Sequence, residues 1–297
     1  MNTLPPQAVR TVVVATDLSP ASEIAVDQAA VLARRWDADL VLLHVFNDGV
    51  WATLTAIYES ALWAGAEPVL LARNRLSQQV REIAARHGVR ARGETRTGRA
   101  ASEIAAFCRE QGAQLLVVGE QGEGWIDEAV LGGTAQRVLA RADLPVLLVR
   151  RAVSAEFSCI LLATDFSDNA TRAAQLSLDW FPDIRQRLLH ACTLAFEGRM
   201  RMAGVSLEHI EGYRRDELAR AEQRMQAQMH ILRSDAPLGK LIVQGYPATV
   251  LLREIERSGA ELVVIGKHGG TMLDERLLGS VTQNLLYHAD CNVLLVP

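Results

Sequence analysis

Leu262-Val-Val-Ile265, Gly266-Lys-His-Gly-Gly-Thr-Met-Leu-Asp-Glu-Arg-Leu-Leu-Gly-Ser280 and Val281-Thr-Gln-Asn-Leu-Leu286 follow one another without a break. They read as a buried strand, a glycine loop and a helix. Four apolar residues without alternation fit a strand covered on both faces, as in a parallel sheet. The loop spacing is Gly266, two residues, Gly269, nine residues, Gly279, then Ser280. Glycine admits positive φ and lets a ligand approach the main chain closely. A Gly-Ser pair opening a helix offers unpaired amides, a hydroxyl and the positive end of the helix dipole to an anion. The loop therefore reads as a cradle for phosphate groups. A plain strand–helix connection, with Ser280 only an N-cap, is the competing reading. Neither a Walker-type glycine-lysine loop nor a GxGxxG turn opening a helix occurs, so a P-loop NTPase and a nicotinamide site are not indicated.

The same stretch recurs in weaker form upstream, because the chain repeats itself. Thr11-Val-Val-Val-Ala-Thr-Asp-Leu-Ser19 matches Cys159-Ile-Leu-Leu-Ala-Thr-Asp-Phe-Ser167, and Leu40-Val-Leu-Leu-His44 matches Gln186-Arg-Leu-Leu-His190. Gly98 matches Gly245, Leu115-Leu-Val-Val-Gly119 matches Leu262-Val-Val-Ile-Gly266, and Pro145-Val-Leu-Leu-Val149 matches Asn292-Val-Leu-Leu-Val296. The offset stays between 146 and 148 residues. Two copies of one domain, 1–151 and 152–297, are expected, joined near Arg150-Arg-Ala-Val-Ser-Ala155.

Within copy one, apolar runs alternate with helical periodicity. Strands are expected at Thr11–Ala15, Asp39–Val45, Arg90–Thr95, Leu115–Gly119 and Val146–Val149. Helices are expected at about Pro20–Trp36, over the segment ending at His87, and at Ala100–Gln111 and Gly133–Arg141. Copy two repeats this, with a long helix near Leu207–Arg233. Strand–helix alternation predicts an α/β fold: two tandem doubly wound five-stranded parallel sheets with helices on both faces, with the order expected to be 3-2-1-4-5. Such sheets bind ligands beyond the carboxyl ends of the strands, where the order reverses. Strands one and four meet there, so Thr164-Asp165 and Gly266 are brought to one crevice. Asp165 could cap the following helix or accept from a ribose hydroxyl or base amine, and its position favours the second. His190 and its counterpart His44 read as structural. The backbone just beyond His190, at Ala191, is free to meet an adenine edge.

Composition narrows the remaining classes. The chain has 297 residues, 49% hydrophobic and 22% charged, with a formal net charge of −4. No electrostatic case for nucleic-acid binding exists. Cys108, Cys159, Cys192 and Cys291 form no C-x-x-C pair, so zinc is unsupported and reduced thiols are expected. The start lacks the pattern of a signal peptide and no run of about 18 apolar residues occurs, so a cytoplasmic protein off the membrane is expected. The charge run Arg214-Arg215-Asp216-Glu217 reads as a solvated helix face with close ion pairs.

Val-Val-Ile-Gly-Lys-His-Gly269 with its Gly-x2-Gly-x9-Gly-Ser spacing, Ala163-Thr-Asp-Phe-Ser167 and Leu188-Leu-His190 together resemble the universal stress protein family. The resemblance covers nearly the whole chain twice. It implies a five-stranded doubly wound fold, ATP or AMP binding where the glycine motif is kept, and pairing of domains through the last strand. It puts Asp165 on the adenosine and the Ala191 backbone on the adenine edge. Gly266, Gly269, Gly279 and Ser280 would hold phosphates, Lys267 and His268 would line the loop, and Thr282 would add a hydroxyl. The implied cofactor is ATP, or AMP or ADP, with Mg. The implied role is a nucleotide-binding regulator of stress response. A slow ATPase, using Asp274 or Glu275 of the spacer, and a nucleotide-free interaction scaffold are the alternatives. The two copies are expected to pair as an intrachain pseudo-dimer, with a homodimer as a further expectation.

Copy one departs from the pattern. Gly119, Gly122 and Gly132 keep the spacing, but Gly133 stands at the serine position and Thr134 comes one place late. Glu120 and Glu123 replace Lys267 and Gly270. Negative charge within a Debye length of a polyphosphate, about 8 Å at physiological salt, opposes its binding. Nucleotide is therefore expected mainly in copy two.

Overall fold

The structure is a computed structural model that describes residues 8–46, 68–120, 132–152, 156–232, 237–268 and 278–297. The chain divides into two compact units, Met1–Glu156 and Phe157–Pro297. Unit one runs β1 (Thr11–Ala15), α1 (Pro20–Arg35), β2 (Asp39–Phe46), α2 (Pro68–His87), β3 (Ala91–Thr97), α3 (Ala100–Glu110), β4 (Leu115–Gly119), α4 (Gly133–Arg141) and β5 (Val146–Val149). Unit two runs β6 (Cys159–Ala163), α5 (Asp168–Trp180), β7 (Arg185–Cys192), α6 (Glu197–Met202), α7 (Leu207–Ile231), β8 (Gly239–Gln244), α8 (Pro247–Ser258), β9 (Leu262–Gly266), α9 (Ser280–His288) and β10 (Asn292–Val296).

The strand orders are β3-β2-β1-β4-β5 in unit one and β8-β7-β6-β9-β10 in unit two, the expected doubly wound order in each. The pairings within each unit are parallel, for example Ile160 with Leu262 and Leu162 with Val264 between β6 and β9. Helices cover both faces, and the central strands are buried along their length. Val12, Val13, Val14, Leu262 and Val263 are 0% exposed, which is why these runs carry no polar alternation.

Helices α1 and α5 start in the same way. Ser19 and Ser167 each accept from the amide three residues on, at 3.3 and 3.2 Å, and so cap their helices. The buried stripe of α5 is Ala170, Ala173, Ala174, Ser177 and Leu178, at helical spacing. Small residues let α5 lie close on β9: a Cβ at Gly266 would stand 3.3 Å from the Asn169 carbonyl carbon and 3.5 Å from the Ala170 nitrogen.

Helix α6 has no counterpart in the sequence-based expectation. It is stapled to α7 by Glu197, which hydrogen-bonds Arg201 and Arg214. The Arg214 guanidinium, hydrogen-bonded to it, holds the Glu197 carboxyl down at about 2. In the charge run, Arg214 thus reaches another helix, while Glu217 pairs with Arg220 on α7 itself at 2.5 Å. All four cysteines are buried, and burial pushes the Cys108 thiol up to about 12. No helix among the described residues is long and apolar enough to cross a membrane.

Candidate functional site

The site starts at the turn after β6. Phe166 sits at φ 66°, a left-handed backbone that costs a non-glycine residue about 1 kcal/mol or more. Four contacts hold it there. The Phe166 amide donates to Thr164 Oγ1 at 2.9 Å, and the Ser167 amide donates to Asp165 Oδ1 at 3.0 Å. The Phe166 ring touches the His190 ring, centroids 4.1 Å apart, and the Arg224 guanidinium, 4.7 Å from its centroid. A buried relay ties the turn to α7: Thr164 Oγ1 donates to Gln228 Oε1 at 2.8 Å, and Gln228 Nε2 donates to Thr171 Oγ1 at 2.8 Å. Unit one builds the same turn, with Leu18 at φ 66° and its amide on Thr16 Oγ1 at 3.0 Å. Asp165 therefore does hold the turn, as its position before a helix allows, and it is also exposed at the strand end.

His190 bridges β7 to this turn. Its Nδ1 lies 2.9 Å from the Thr164 carbonyl oxygen, and His44 meets Thr16 at the same distance. A carbonyl only accepts, so Nδ1 carries the proton. Burial, with the nearby Arg224 charge, keeps His190 below the usual imidazole range. Because the folded state binds this proton more weakly than the unfolded chain, His190 costs no stability above its ordinary value of 6.5 and destabilises the fold increasingly as pH falls below 6.5 through the lowered folded-state value. An NMR titration of the His190 Cε1–H should give a midpoint below 6.5, and a midpoint above that value would contradict the buried, bridged geometry.

The opposite wall is made by the end of β9 and the start of α9. Gly279 takes the N-cap position, with φ −61° and ψ 150° and no side-chain cap. Its carbonyl accepts from the Gln283 amide at 2.8 Å, the first helical bond. Among the described residues, the amides of Ser280, Val281 and Thr282 have no acceptor. These are the orphan donors of a helix N-terminus, concentrated where the dipole is positive. The Gly279 amide itself is engaged, donating to the Lys267 carbonyl at 3.3 Å. The Thr282 hydroxyl donates to the Gly266 carbonyl at 3.2 Å.

Turn and helix start share one cleft of about 250 Å³ beyond the carboxyl ends of β6 and β9, which are neighbours in the sheet. Asp165, Ala191, Gly266, His268, Gly279, Ser280 and Thr282 all line it. Gly269, Asp274 and Glu275 lie outside the described residues. Lys267 does not line the cleft: it is 5% exposed, between two lining residues. The expectation placed Lys267 along the loop, and Lys267 is buried at the loop's start. The apolar wall, Ala170, Leu189, Pro247, Leu251 and Ile265, is indistinguishable in sequence from ordinary core.

Unit one differs where charge was expected to matter. Glu120 pairs with Arg150 at 2.9 Å, and that arginine side chain is 9% exposed. An ion pair cancels most of the field of its carboxylate, so the expected repulsion does not come from Glu120. Glu123 lies outside the described residues. The Gly132 amide donates to the Glu120 carbonyl at 2.9 Å, matching Gly279 and Lys267.

Both units thus carry one strand order, one strained Thr-Asp-x-Ser turn and one glycine-capped helix start. The pattern described as the universal stress protein family matches residues 8–150 and again residues 156–297. The chain belongs to the universal stress protein family. Universal stress protein YxiE of Bacillus subtilis is 34% identical over 142 residues, 46% of this chain and 96% of its own length. A universal stress protein of Mycolicibacterium smegmatis is 27% identical over 292 residues, 96% of each chain, so the tandem arrangement recurs there over the full length. The crystal structure of a universal stress protein from Archaeoglobus fulgidus aligns with a TM-score of 0.65 at 17% identity, covering 96% of this chain and 97% of its own. At that identity the likeness speaks for the fold alone.

Proposed function

We propose that this tandem universal stress protein binds an adenine nucleotide, ATP or its AMP and ADP relatives, mainly in unit two, and acts as a nucleotide-dependent regulator in the cytoplasm. The reading is carried by one observation: three unpaired amides at the start of α9 open onto the cleft that Asp165 also lines. Free amides at a dipole's positive end suit phosphate oxygens. The Asp165 carboxylate suits a ribose hydroxyl or base amine, and the Ala191 backbone suits the adenine edge. The Ser280 hydroxyl adds a donor on the same wall. Ala170, Leu189 and Leu251 give the base an apolar surface. A magnesium ion would ride on the phosphate oxygens, since this cation keeps most of its waters and binds through substrate phosphates.

The test uses the full chain. Protein stripped of bound nucleotide should melt at higher temperature when millimolar Mg-ATP is added, because a ligand that binds only the folded state stabilises it. Mass spectrometry of protein as purified should find adenine nucleotide. No retained nucleotide together with an unmoved melting temperature would remove the reading and leave the interaction scaffold.

A further inference from the structure

Three successive carbonyl groups end β9 beside the cleft, those of Gly266, Lys267 and His268. Each is engaged. The Thr282 hydroxyl donates to the Gly266 oxygen at 3.2 Å, the Gly279 amide to the Lys267 oxygen at 3.3 Å, and the Asn169 side-chain amide to the His268 oxygen at 3.3 Å. The orientation of Asn169 is fixed chemically. Its Oδ1 receives Arg172 Nη2 at 2.5 Å, and a guanidinium can only donate, so the NH2 group is the one left for His268. Asn169 stands in the first turn of α5, where the backbone touches Gly266 closely.

An anion is drawn by N–H and O–H groups and repelled by bare carbonyl oxygens. A seat for a charged ligand tail therefore needs more than free amides. The acceptors beside it must also be occupied, or their lone pairs oppose the charge. Two of the three donors here are side chains, and unit one lacks both. The repeat aligns Asn169 with Ala21 and Thr282 with Ala135, and alanine carries no side-chain donor. Among the described residues of unit one, the main-chain bond from Gly132 to Glu120 is kept.

We propose that Asn169 and Thr282 are positioning residues that occupy the carbonyls ending β9, and that this pair, rather than the glycine spacing, sets the preference of unit two for a polyphosphate over the bare nucleoside. The inference rests on the adenine-nucleotide reading above. It separates the units by a property of their acceptors, and Arg172 acts through Asn169 by holding its amide in register.

The experiment measures ATP and adenosine affinities on the full chain. Adenosine meets the base and ribose side of the cleft and has no phosphate. In wild-type protein ATP should bind more tightly than adenosine. Asn169→Ala and Thr282→Val should each lower the ratio of ATP to adenosine affinity about tenfold, the effect of uncovering one acceptor beside a charge. Thr282→Ser, which keeps the hydroxyl, should hold the ratio within about twofold of wild type. Loss of both ligands in equal proportion would show a merely structural role and overturn the inference, as would an unchanged ratio in both variants. Wild-type protein that binds adenosine as tightly as ATP overturns the phosphate seat itself, and this inference with it.

Discussion

Gly279→Val should weaken Mg-ATP binding to the full chain about a hundredfold, the upper end of what forcing extra methyl groups into a filled space costs. The same change at Gly132, its counterpart in unit one, should leave binding within about twofold, since the nucleotide is expected mainly in unit two. Gly279 sits at φ −61° and ψ 150°, and Gly132 at φ −56° and ψ 137°, backbone conformations open to any residue. Gly279 lines the cleft, so added carbons there reduce the space for the ligand. A thermal melt of each variant without nucleotide separates lost binding from lost folding. Titration calorimetry reads the site number directly. One site per chain, removed only by the unit-two change, is the expected outcome. Two equal sites, or a site removed only by Gly132→Val, would reverse the assignment of the units.

Gly245→Ala should cost unit two about 3 kcal/mol, the sum of a strained backbone and a clash. Gly245 ends β8 at φ 146°, where side chains are rarely tolerated, and an added Cβ would stand 2.8 Å from Val250 Cγ2. Val250 is 2% exposed in α8, and a β-branched side chain in a helix has one favoured rotamer, so the methyl group cannot swing away. Gly98 in unit one has a similar φ, 141°, but its nearest neighbours are the Glu103 side-chain atoms at 3.1 to 3.4 Å. That chain is flexible and can move. Gly98→Ala should therefore cost about 1–2 kcal/mol, the backbone strain alone. Urea denaturation of the two variants should rank them in this order. An equal or smaller effect at Gly245 would mean that α8 moves away from β8 more readily than its packing indicates.

The strands were legible because they are buried on both faces. Leu262–Ile265 can be so uniformly apolar only where nothing polar faces it, and its repeat at Leu115–Val118 set the domain period. The helix starts were legible for an equally local reason, since Ser167 caps an amide three residues away. With right-handed crossovers, these short-range facts were enough for a doubly wound sheet, and the order 3-2-1-4-5 within it brings Asp165 and Gly266 together.

The sequence by itself thus determined the repeat, the sheets and the crevice, which follow from periodicity, spacing and chain chirality, and its motifs carried the resemblance to the family. Only the tertiary structure decided where individual side chains spend their hydrogen bonds. Lys267 is buried although the family resemblance implied a residue lining the loop, and Glu120 finds Arg150 although its position suggested exposure to phosphate. Asn169 meets His268 across 99 residues of chain and looked like any polar residue in a first helical turn. The reason is physical: backbone pattern is fixed by neighbours a few residues away, whereas the partner of a polar side chain is whatever the folded chain brings within about 3 Å.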